Sequence, residues 1–182
     1  GKTNYITDKT KLEPTTKYGL SKLQAENELV NLRDSNFIVS IVRPPMIYGK
    51  GSPGNFARLR RLGLRLPIFP KINNRRSMLF IDNLSEFLAQ LSISPKDLVF
   101  VPQNLEYANT SNILYLIRKS NGKKTLFVPG FKKLMEVLIL YNKTLARVYG
   151  SLTIDRKLSG DLLAYSKASL ADSIDRIEDN DV

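Results

Sequence analysis

Three of the eight tyrosines in this chain carry a lysine four residues later, at Tyr5–Lys9, Tyr18–Lys22 and Tyr115–Lys119. A four-residue step on a helix stacks a phenol and an ammonium on one face, with Cβ atoms about 5–6 Å apart. A tyrosine so placed can act as a proton donor or acceptor near neutral pH. The spacing alone carries little weight: eight tyrosines and sixteen lysines in 182 residues give roughly 0.7 such pairs by chance. Tyr5–Lys9 falls in a polar, loop-like stretch, and Tyr115–Lys119 near the exposed end of a helix. Tyr18–Lys22 differs because Pro14 opens a helical stretch over 15–34 and a β-branched run, Phe37–Val42, follows it. Helix then strand is half of an α/β unit, and it predicts that the tyrosine helix lies against a sheet.

The chain has no histidine and no cysteine, which excludes Ser-His and Cys-His catalysis, disulfides and zinc sites built on those residues. Proton transfer therefore falls to Tyr, Lys, Asp or Glu. No apolar run reaches the ~18 residues of a membrane helix. The net charge of +11 gathers in Arg58, Arg60, Arg61, Arg65, Lys71, Arg75 and Arg76. A basic nucleic-acid-binding module is one reading of that cluster. A solvated helix face beside a phosphate site is the favoured one, so no nucleic acid is expected.

The other elements follow from pattern. Pro44-Pro45 ends the Phe37–Val42 strand. Gly49-Lys50-Gly51-Ser52-Pro53-Gly54 matches G-x-G-x-x-G but is not directly off a strand, and the next acidic residue, Asp82, comes too late for a dinucleotide fingerprint. A mobile loop over a site, with glycines permitting positive φ, is expected instead. A basic helix over 55–64 follows, then an extended stretch at 66–70 and a strand at 77–81. Asp82 or Asn83 should cap a helix over 84–91. A strand at 98–101, a helix at 109–119 capped by Thr110 or Ser111, a long helix at 131–149, a strand at 152–154 and a helix at 169–177 complete the order. Arg76, just before a strand, offers a planar fork suited to bidentate phosphate binding.

In this order the pieces resemble the extended short-chain dehydrogenase/reductase family, in particular its NAD-dependent nucleotide-sugar epimerases and dehydratases. The runs that carry the resemblance are Tyr18-Gly19-Leu20-Ser21-Lys22 with Ala25-Glu26, Val42-Arg43-Pro44-Pro45-Met46-Ile47-Tyr48-Gly49, and Gly54-Asn55-Phe56. Arg76-Ser77-Met78-Leu79-Phe80-Ile81-Asp82-Asn83-Leu84, Ile154–Leu158 and Ser169-Leu170 continue it. The resemblance implies an α/β fold: the C-terminal part of a Rossmann-like doubly wound domain plus a small mixed α/β substrate lobe. Residues 1–50 would be the remnant of the NAD-binding domain and 51–182 mainly the lobe, with segments near 82–102 returning to the sheet. It implies a 4-epimerase acting on a UDP-hexose or UDP-N-acetylhexosamine in surface-polysaccharide synthesis, with a 4-keto-6-deoxy-sugar reductase as alternative.

By the same resemblance Tyr18 is the general acid/base and Lys22 holds the nicotinamide ribose and lowers the phenol pKa. Pro44 and Pro45 lie beside the nicotinamide, and Met46, Asn55 and Phe56 beside the sugar nucleotide. Ile68 and Phe69 flank uracil, and Arg76 holds the pyrophosphate. NAD is the implied cofactor, a cytoplasmic homodimer the implied state. Family members open with a Gly-rich strand–loop–helix and a Ser/Thr upstream of the tyrosine. Neither stands in this chain, so the resemblance implies a C-terminal portion, inactive alone, whose partner is the N-terminal half of the same protein. Met46 replaces an asparagine found in some of these epimerases.

Overall fold

A computed structural model describes residues 4–130, 137, 141, 145–146, 149–159 and 163–179. In chain order the elements are β1 (Tyr5–Ile6), α1 (Lys17–Asn31), β2 (Ile41–Val42), β3 (Met46–Tyr48), α2 (Asn55–Arg65), β4 (Ile68–Pro70) and β5 (Met78–Phe80). Then come α3 (Ile81–Ile93), β6 (Val99–Phe100), α4 (Thr110–Ser120), β7 (Leu126–Val128), β8 (Thr153–Ile154) and α5 (Leu170–Glu178). Among the described residues the strands pair two by two and always in parallel: β1 with β8, β2 with β6, β3 with β5, β4 with β7. Parallel pairing needs a crossover; α2 lies between β3 and β5, and α3 between β2 and β6.

β5 joins the two cores. Met78 and Phe80 enter the larger core with Tyr48, Phe56, Phe69 and the inner faces of α2, α4 and α5. Leu79 points the other way, to Phe87, Leu91, Phe100 and Tyr165. The two-residue period of a strand produces this division. All three β5 residues are buried, which explains why the run reads as apolar without alternation.

Several boundaries differ from the sequence reading. The run 37–42 forms a ladder only at Ile41–Val42, while Phe37 makes an antiparallel bridge with Asp34. Phe37 and Ile38 are exposed, because β6 is the one partner of β2 among the described residues. Pro44-Pro45 interrupts the extended chain without ending it, since β3 resumes at Met46 and pairs with β5. β1 and β7 are too short to leave a periodic signal.

The α3 helix begins three residues earlier than Leu84, with Phe80 as N-cap and no side-chain cap bond. Asn83 is buried and bonds Asn104 and Ala168 instead. Asn109, not Thr110 or Ser111, caps α4 by accepting from the Asn112 N–H. The helix expected at 131–149 lies for the most part outside the described residues.

Candidate functional site

Thr16 caps α1 by accepting from the Gly19 N–H at 3.1 Å, which starts the helix one residue before Tyr18. Tyr18 is 74% exposed, and the Lys22 ammonium sits 5.7 Å from its ring centroid. The sequence reading laid this helix on a sheet, yet no α1 residue is buried. The β2–β6 pair is too narrow to cover a 15-residue helix. Its tether is polar: Glu26, a further four-residue step beyond Lys22, accepts from the Arg43 guanidinium at the end of β2.

Arg43 also lines a cavity of about 680 Å³, walled by Pro44, Pro45 and Met46 on one side and Arg76, Ser77 and Ile154 on others. The volume falls in the range of small-molecule sites. Tyr18 and Lys22 do not line it. A narrow cleft on the other side of Met46 and Arg76 is bounded by Asn55, Met78 and Thr110. Met46 and Arg76 thus stand between the two spaces, and Asn55, the first residue of α2, faces the second.

The arginine pair at 75 and 76 divides as an extended chain requires. Arg75 stacks on the Tyr107 ring at 4.7 Å, and Arg156 stacks on the same ring at 4.6 Å. Arg76 turns inward. Its backbone exchanges hydrogen bonds with Ala108, and its guanidinium donates to the Gly150 carbonyl at 2.7 Å. Burial pulls its pKa below the ordinary arginine value. Among the described residues no carboxylate pairs with it.

The remaining expected contacts scatter. The Phe56 side chain is buried against Tyr48, ring centroids 5.1 Å apart, and Phe69 is buried in the same core. Ile68, alternating with Phe69 along β4, is 52% exposed. Sequence reasoning passed over Glu26–Arg43 and the Gly150 carbonyl. The first was within reach, because 18, 22 and 26 are successive four-residue steps. The second was not, since 74 residues separate the partners.

Against known proteins, residues 1–99 match the model of an NAD-binding family described as male sterility protein. A UDP-glucose 4-epimerase of Vibrio cholerae is 32% identical over 166 residues, covering 86% of this chain and 48% of that protein. Among solved structures, the UDP-glucuronic acid 4-epimerase of Bacillus cereus in complex with NAD aligns at TM-score 0.66 and 20% identity, over 94% of this chain and 52% of that one. A dTDP-4-dehydrorhamnose reductase from Bacillus anthracis, in complex with NADP, aligns at TM-score 0.62 and 17% identity, over 95% and 58%. The chain therefore spans about half the length of the relatives it matches. Among the described residues no helix is long and apolar enough to cross a membrane.

Proposed function

The chain belongs to the NAD-binding family described as male sterility protein, of the short-chain dehydrogenase/reductase type, and on that premise we propose that it carries the acid/base and substrate-recognition part of an NAD-dependent nucleotide-sugar 4-epimerase. Arg76 is the observation that carries the reading. A half-buried guanidinium with a carbonyl but, among the described residues, no carboxylate partner, on the wall of the cavity, lacks the anion that would offset its desolvation. A diphosphate seated against Arg76 in the 680 Å³ cavity would supply that charge with bidentate geometry. The Pro44–Met46 wall of the same cavity would then take the sugar and the nicotinamide.

Tyr18 would withdraw the proton from the sugar 4-hydroxyl and return it after the 4-keto sugar has turned over. Lys22 stands over the phenol ring, 5.7 Å from its centroid, on the same helix face. Glu26, through Arg43, ties the face that bears both to the cavity wall. NAD, when bound, supplies the hydride acceptor and donor, and the apolar wall of Pro44 and Pro45 fits a nicotinamide ring. The neighbours include epimerases and a reductase at similar TM-scores, so the fold does not separate the two activities. The 32% identity to a UDP-glucose 4-epimerase favours epimerisation and a UDP-hexose.

Calorimetric titration of UDP-glucose into the chain and into Arg76→Gln tests the reading. Loss of one charge-assisted bidentate contact should weaken binding about tenfold or more. Equal affinity in both proteins would remove its basis.

A further inference from the structure

A second cavity, of about 510 Å³, shares no lining residue with the site above. Its walls are the 49–52 loop and one face of α2, and it presents Lys50, Arg60, Arg61 and Arg65. Phe56, Leu64 and Ile177 provide apolar lining. The loop packs closely on α3. A Cβ on Gly49 would stand 2.5 Å from Ile81 Cγ2, so only glycine lets the chain pass α3 this closely. Ser52 N–H then closes a turn onto the Gly49 carbonyl at 3.2 Å, with Gly51 at φ +72°.

The cations around this space are not equivalent. Arg60 is held by Glu178 through two bonds of 2.7 and 2.8 Å, and the same carboxylate accepts from Asn121. Lys50 donates to the Asp179 carbonyl at 3.3 Å. Arg61 and Arg65 are exposed and have no ion pair among the described residues. They stand four residues apart, where like charges repel on a helix. Arg65 suits the negative end of the α2 dipole, but Arg61, mid-helix, has no such compensation. Two guanidiniums without an ion pair among the described residues, beside a closely packed loop and an apolar floor, make a site for an anion that carries a non-polar body.

We propose that this cavity binds a phosphate ester, its phosphate between Arg61 and Arg65 and its apolar portion against Phe56, Leu64 and Ile177. The site is separate from the nucleotide-sugar cleft and does not depend on that reading. Inorganic pyrophosphate is the first probe, titrated into the isotopically labelled chain and followed by NMR. Saturable shifts are expected at the amides of Gly49–Ser52 and at the Arg61 and Arg65 Nε. Arg61→Gln/Arg65→Gln should weaken them about tenfold or more, and glutamine keeps the helix because its propensity is close to that of arginine. Arg76→Gln should leave them unchanged. Arg58→Gln, on the same helix but outside the cavity, should also leave them unchanged.

Equal losses in the Arg58 variant would mean general polyanion attraction, and loss in the Arg76 variant would mean binding at the other cleft. Either overturns the proposal, as does an absence of shifts at the loop. Co-sedimentation with vesicles of phosphatidic acid in phosphatidylcholine identifies the source. Uptake that depends on Arg61 and Arg65 assigns a lipid headgroup. Pyrophosphate binding without uptake assigns a soluble ester.

Discussion

Tyr18 and Tyr48 have opposite surroundings, and their chemistry follows from that. Tyr18 is open to solvent with Lys22 over its ring, so it can meet a substrate. In turnover with NAD and UDP-glucose, measured on a protein that joins this chain to an NAD-binding N-terminal half, Tyr18→Phe should lower kcat by about 10²–10⁴ while UDP affinity holds. Loss of affinity alone would make it a binding residue. Tyr48 is fully buried, shares 2.7 and 2.9 Å hydrogen bonds with Ser173 and Asn104, and has its pKa pushed up to about 12 by burial. Its folded pKa lies above the unfolded value of about 10, so the neutral phenol contributes fully below pH 10. That stability is lost as pH rises through the folded value, on the order of 2–3 kcal/mol in all. Urea melts between pH 9 and 12 should show a smaller alkaline loss in Tyr48→Phe than in the unaltered protein. Spacing and context single out Tyr18 as a candidate, whereas nothing in the spacing marks Tyr48 as a buried hub. Its partners lie 56 and 125 positions away.

At the scale of elements, α5 is held at both ends by polar contacts. Ser169 and Asp172 form a reciprocal capping box at its start, and the Ser169 bonds hold the Asp172 carboxyl below the usual range. Ser169→Ala should cost about 1 kcal/mol in chemical denaturation. The Asp172 contribution is present above the unfolded carboxylate pKa and is lost as pH falls through the lower folded value. At the other end the Glu178 side chain, 1% exposed, receives Arg60 from α2 and Asn121 from α4. Glu178→Ala leaves those donors without their acceptor and should cost about 1–3 kcal/mol. A similar device joins α2 and α4: buried Arg118 donates to the Gly63, Leu66 and Lys124 carbonyls. Helix positions were legible to within a few residues because their periodicity is local. The caps of α3 and α4 were not, because Asn83 and Thr110 are drawn into tertiary hydrogen bonds with Asn104 and Asn74.

Across the whole molecule burial is uneven. The α4 helix buries six of its residues and α1 buries none. Hydrogen exchange should therefore run faster over 17–31 than over 110–120, most visibly at the centres of the helices. Protection of α1 equal to that of α4 would show that another surface covers it in solution. The sequence by itself determined the four-residue spacing of Tyr18 and Lys22, the absence of histidine and cysteine chemistry, and the order of the described helices. Each of these rests on residue identity or on spacings of a few positions. Only the tertiary structure decided that Arg76 turns inward and Arg75 outward, that Phe56 and Phe69 are core, and that the glycine loop borders a cavity of its own. Those outcomes depend on parallel pairings and contacts between residues tens of positions apart, where side-chain packing and desolvation act and local pattern carries no record of them.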